Sequence, residues 1–100
     1  MQLYVINWSF QNAEDQLFAT NEFCEKFKKG ELYEFVDNFE LITIAHVPQN
    51  GSGTIICKAH NSKSILNMLK AWRENYSISF NINPALSNEE FIEAYSSGDN

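Results

Sequence analysis

Two runs rich in β-branched and aromatic residues, 39–47 and 54–60, flank the segment PQNGSG, and no other feature constrains the chain as strongly. Asn-Gly supplies the positive φ angles of a type I′ turn, whose twist matches that of two antiparallel strands. A two-residue loop at Asn50-Gly51 pairs Gln49 with Ser52, so facing residue numbers sum to 101, with His46 opposite Ile55 and His60 opposite Leu41. The remaining elements must be arranged around this hairpin.

Before it, residues 2–10 alternate, with Leu3, Val5, Asn7 and Ser9 on one face and Tyr4, Ile6, Trp8 and Phe10 on the other. Both faces are apolar enough to need covering. A helix starts at Asn12 or Ala13, carries Glu14 and Asp15 in its first turn and Lys26, Lys28 and Lys29 in its last, and stops at Gly30. Leu17, Asn21, Cys24 and Phe27 form its expected inner stripe. In ELYEFVDN, the spacing of Leu32, Phe35 and Val36 predicts a short extra helical turn. After the hairpin, Asn61 or Ser62 caps a helix to about residue 76 with Ile65, Leu69, Trp72 and Tyr76 as its stripe. SISFNIN alternates as a strand that Pro84 should end, and LSNEEF reads as a capping box with Ser87 at N-cap, Glu90 at N3 and Leu86 stapled to Phe91. The final residues SSGDN are expected to fray.

The order β-α-β-β-α-β plus a short C-terminal helix predicts one α+β domain over residues 1–100, a ferredoxin-like sandwich. Its antiparallel sheet has strand order 4-1-3-2, with both long helices on one face. Apolar residues make up 44% of the chain and aromatics 14%, which leaves apolar surface for a partner. A net charge of −6 disfavours nucleic acid, whose binding depends on cations that displace counterions. RNA-recognition motifs share this topology and open with a pattern like LYVINW, but their third strand carries aromatics that stack on bases. NGSGTIIC offers Ser52, Thr54 and Cys57 at those positions, so RNA binding is not expected. Cys24 and Cys57 lack a C-x-x-C spacing and read as buried thiols of a reducing compartment. No run approaches the roughly 18 apolar residues of a membrane span, and the N-terminus lacks a basic leader, so a cytoplasmic protein without a membrane role is expected.

His46 and His60 fall on opposite faces in this register and make no metal site together. Strands one and two run parallel, so Asn7 and His46 emerge at the same end of the sheet, where helix two brings Trp72 and Tyr76. With Leu3 and Val5 facing the helices, Asn7, His46, Trp72 and Tyr76 would surround a small-ligand cleft. The plainer alternative has Asn7 and His46 capping backbone groups while Trp72 fills the core. On the same assignment Tyr4, Ile6, Trp8 and Phe10 lie on the open face near Ile56 and Lys58, and a homodimer would cover that stripe. If the faces are reversed, the stripe becomes core and the dimer argument weakens.

LYVINWSF, AHVPQNGSGTIIC, AWRENY and INPALSNEEF together resemble a family of short proteins of unknown function from marine cyanobacteria and their phages, within the dimeric α/β-barrel superfamily. The resemblance implies a homodimer with a site between sheet and helices. The superfamily includes cofactor-independent oxygenases, isomerases and haem-degrading enzymes. Its haem-degrading branch uses an Asn on strand one, a Trp and an axial His on helix two; Asn7 and Trp72 are compatible, but helix two here contains no His, so no cofactor is expected unless His46 substitutes from strand two. The leading reading is a non-catalytic homodimer that binds a small apolar or aromatic molecule or regulates a partner. The alternative is a cofactor-independent oxygenase or isomerase with His46 as general base and Asn7 as hydrogen-bond donor. A third reading, an interaction module using Glu14, Asp15, Glu22 and Glu25, is weaker, because such acidic faces are usually only solvated.

Overall fold

A computed structural model describes residues 1–32 and 39–96. The elements are β1 (Gln2–Phe10), α1 (Ala13–Lys29), β2 (Phe39–Val47), a short 3-10 turn (Pro48–Asn50), β3 (Ser52–Ala59), α2 (Ser62–Asn75), β4 (Ile78–Ala85) and α3 (Asn88–Ser96). One antiparallel sheet runs β2-β3-β1-β4, the expected order read from the other edge. The helical turn expected around Phe35 and Val36, and the frayed end after Ser96, lie outside the described residues.

Helix boundaries follow their caps. The Asn12 side chain accepts the Asp15 N–H at 2.8 Å and Asn61 accepts the Ser64 N–H at 3.0 Å, each satisfying a donor that a helix start leaves unpaired. Gly30 ends α1 at φ 70°, which allows its own N–H to reach the Phe27 carbonyl and that of Glu31 to reach the Lys26 carbonyl. Before α3, the Ser87 N–H donates to Glu90 Oε1 at 3.0 Å while the Glu90 N–H donates to Ser87 Oγ at 3.2 Å, the reciprocal pair of a capping box. These bonds hold the Glu90 carboxyl below its ordinary range.

The hairpin register corrects the two-residue turn. Val47 pairs with Ser52 and His46 with Gly53, so facing numbers sum to 99 and residues 48–51 form the loop. Pro48 explains the difference: its fixed φ starts a 3-10 turn, and only Gly51, at φ 62°, takes the left-handed conformation. A bulge between Leu41 and Thr43 leaves Ile42 as an extra residue of β2. At the opposite edge, β4 runs past Pro84 to Ala85; an edge strand tolerates the missing donor.

Facing residues in antiparallel strands share a face, so the registers arrange the helix-covered side in rows across the sheet. One row is His46, Gly53, Trp8 and Phe80; the next is Ile44, Ile55, Ile6 and Ile82; the third is Leu41, Cys57, Tyr4 and Pro84. Tyr4, Ile6, Trp8, Ile55, Cys57 and Ala59 are buried there against Ile65 and Leu69 of α2, with Phe10 packed at the margin. This corrects the face assignment: Tyr4, Ile6 and Trp8 form the core, not an open stripe, whereas Ile56 and Lys58 do lie on the open face with Leu3, Val5, Asn7 and Ser9. Bulk decides the matter, because the even-numbered positions of β1 hold the larger side chains and the odd ones include Asn7 and Ser9.

Helix α1 is likewise rotated from the expected stripe. Ala19 is its buried residue, flanked by half-buried Gln16, Glu22 and Phe23, while Leu17 and Phe27 are exposed. Cys57 is buried, and that desolvation pushes its thiol up to about 11, but Cys24 is exposed.

Candidate functional site

The rows leave a cavity of about 390 Å³ between the sheet and the two long helices. His46, Trp8 and Phe80 of the first row and Ile44 and Ile55 of the second form its floor. Gly53 has no side chain, and Trp8 lies across its Cα position, with the Ala45 carbonyl 2.6 Å from where a Cβ would stand. In that position the indole meets the His46 ring edge-on, centroids 5.4 Å apart at 70°. From α1, Phe23 meets His46 in the same way at 4.9 Å and 69°, and Phe27 stacks on Phe23 at 6.2 Å. Edge-to-face contacts of this kind hold aromatic rings in defined orientations. Trp72 and Met68 of α2 form the opposite wall.

The rim is fastened by hydrogen bonds. The Phe10 N–H donates to the Gly51 carbonyl at 2.8 Å and Gln16 Nε2 to the Pro48 carbonyl at 2.8 Å, tying the hairpin loop to the end of β1 and to α1. The Gln11 N–H donates to the Ser77 carbonyl at 2.8 Å, and Asp15 Oδ2 accepts the Ser77 N–H at 2.6 Å, tying the start of α1 to the start of β4.

Of the four residues expected to form a cleft, His46 and Trp72 line the cavity. Tyr76 stacks on Trp72 at 5.9 Å and supports the wall from behind. Asn7 is elsewhere: it pairs with Thr54, the neighbour of Gly53, so it points to the opposite face, where its Oδ1 accepts the Thr54 hydroxyl at 2.7 Å. The sequence reading missed Trp8, Phe23 and Phe80, although the even-numbered parity of β1 carried the signal for Trp8. His60, just beyond β3, is exposed and remote from His46 in the register. Among the described residues no three His, Cys, Asp or Glu side chains cluster as metal ligands. No described helix is long and apolar enough to cross a membrane.

Tyr76 also joins the two helices, its hydroxyl donating to Glu22 Oε1 at 2.7 Å. That hydrogen bond, with lesser contributions from burial and from the charges of Glu22 and Asp15, pushes the phenol from its ordinary 10.0 up to about 12. A raised folded-state value means that the folded chain holds the proton more tightly than the unfolded one. The resulting stability is fully present below pH 10 and is lost as pH rises toward 12. Denaturant titrations across this window should show the wild-type chain losing stability more steeply than Tyr76→Phe.

Neither the curated proteins nor the solved structures contain a match to this sequence. A family model does match, over residues 2–99, and the chain therefore belongs to the family described as a domain of unknown function, DUF3303.

Proposed function

We propose that this protein is non-catalytic and binds a small, mostly apolar or aromatic molecule between its sheet and helices, working as a homodimer of the dimeric α/β-barrel type. The observation that carries the binding reading is the aromatic-walled cavity of about 390 Å³, a size within the range of small-molecule sites. Preformed rings on two walls offer a guest apolar burial without reordering the protein. The competing oxygenase or isomerase reading needs His46 as base beside Asn7 as donor, and Asn7 lies on the other face of the sheet.

Both tryptophans of the chain, Trp8 and Trp72, line the cavity, so intrinsic fluorescence reports its occupancy. Titration with naphthalene as probe should give a saturable change in that emission and slow the labelling of Cys24, which also lines the cavity and is exposed. Ile44→Trp, which fills the floor, should abolish both responses. A wild-type chain that shows neither would overturn the reading.

The homodimer is supported by the charge pattern of the open face. That face bears Leu3, Val5 and Ile56 near its middle, bordered by Asn, Ser and Thr side chains. Among its described residues Glu40 and Lys58 are the charged ones, and they stand opposite each other. A chain with net charge −6 can therefore meet a second copy here without opposing like charges. Light scattering should give twice the chain mass of 11.5 kDa, and Ile56→Glu should return it to the single-chain value. A wild-type mass of one chain would overturn the assembly.

A further inference from the structure

The cavity restricts the chemistry of its guest as well as its size. None of its described lining residues is Lys, Arg, Asp or Glu. A charged guest would give up hydration with no counterion to replace it, a penalty that apolar burial does not offset. Trp8 and Phe80 on the floor and Phe23 and Trp72 on the helices give the cavity aromatic rings on both sides, which favours an aromatic guest. The polar groups that remain are few. They are Gln16, Thr20, Cys24, Ser52, the two indole N–H groups and His46; Gln16 Nε2 already donates to the Pro48 carbonyl, and among the rings only the His46 imidazole has a nitrogen that can accept. Its imidazole is held by two aromatic edges, and among the described residues no side chain or backbone group hydrogen-bonds to it.

We infer, resting on the binding reading above, that the cavity selects an uncharged, flat aromatic molecule bearing one hydroxyl, that this hydroxyl hydrogen-bonds to His46, and that aromatic anions are rejected. A neutral imidazole has one donor and one acceptor nitrogen, so it can accept from the guest's hydroxyl or donate to its oxygen. A single such bond contributes about 1 kcal/mol, enough for a several-fold preference over the unsubstituted ring.

The test compares 2-naphthol, naphthalene and 2-naphthoate by tryptophan emission at mildly alkaline pH, against the wild-type chain and against His46→Phe and His46→Gln. Wild type should bind 2-naphthol about 5- to 10-fold more tightly than naphthalene, and 2-naphthoate at least 10-fold more weakly than naphthalene. His46→Phe should bring the ratio of the 2-naphthol and naphthalene affinities to about one, whatever its effect on either alone, and His46→Gln, which keeps a donor and an acceptor, should retain part of the preference. Equal binding of 2-naphthol and naphthalene, tight binding of 2-naphthoate, or a preference that survives His46→Phe would overturn the inference and leave the binding reading standing. Failure of every probe to bind would instead overturn that reading.

Discussion

Truncating Ile6 to alanine should destabilise the fold by about 2–5 kcal/mol, the cost of removing a fully buried aliphatic side chain and leaving a cavity behind. Ile6 has no exposed surface and stands in the middle of an unbroken isoleucine row, with Ile55 on one side and Ile82 on the other. Close packing from both neighbouring strands and from α2 gives the site little room to collapse, which favours the upper part of that range. Val5→Ala, one residue away on the open face, provides the internal comparison and, with both substitutions made in the single-chain Ile56→Glu background, should cost much less. Urea unfolding of both variants reads the difference directly. Equal losses would mean that β1 does not present its even-numbered residues to the helices.

The second large effect belongs to Gly53. A methyl group there collides with the Trp8 ring and with the Ala45 carbonyl, so both the side chain and the backbone of the neighbouring strand must give way. Overpacking of this kind costs about 1–3 kcal/mol, and the rigid carbonyl places Gly53→Ala near the upper end. The consequence reaches the cavity, because a displaced Trp8 no longer meets His46 edge-on. Near-ultraviolet circular dichroism should therefore change together with the unfolding midpoint. In a Trp8→Ala background the same substitution should cost less, since one of the two obstacles is gone, and a double-mutant cycle measures that coupling. Full additivity would show that Trp8 and Gly53 do not interact.

Much of the fold is legible in the sequence because caps and stops act locally. Asn12, Gly30, Asn61 and the Ser87–Glu90 pair each satisfy backbone groups within a few residues, so their meaning does not depend on tertiary context. The strand order follows equally from the spacing of the crossovers and the hairpin. The facing of β1 was harder to read, since Leu3 and Val5 are as apolar in kind as Tyr4 and Ile6. The choice between them is made by the bulk that α2 must cover. The same difficulty rotated α1: exposed Leu17 and Phe27 suggest an inner stripe that small Ala19 in fact provides. In the hairpin, Pro48 outweighed the Asn-Gly signal, and the resulting shift of two residues preserved the face of His46 while changing its partner from Ile55 to Gly53. The cleft was thus half visible. His46 and Trp72 could be read from strand and helix ends, but the aromatic floor depends on a register that only the folded sheet displays.

The bulge in β2 has a bearing on how chains of this kind can vary in length. Ile42 is the supernumerary residue between Leu41 and Thr43, and on either side of it Leu41, Ile44 and His46 already point toward the helices. Omitting that residue would turn β2 into an uninterrupted ribbon without inverting any of those three side chains, whereas omission anywhere between Ile44 and His46 would turn the imidazole outward to solvent. Loss of the residue at position 42 therefore leaves the facing of β2 intact, while the stretch that carries the histidine is locked to its present count.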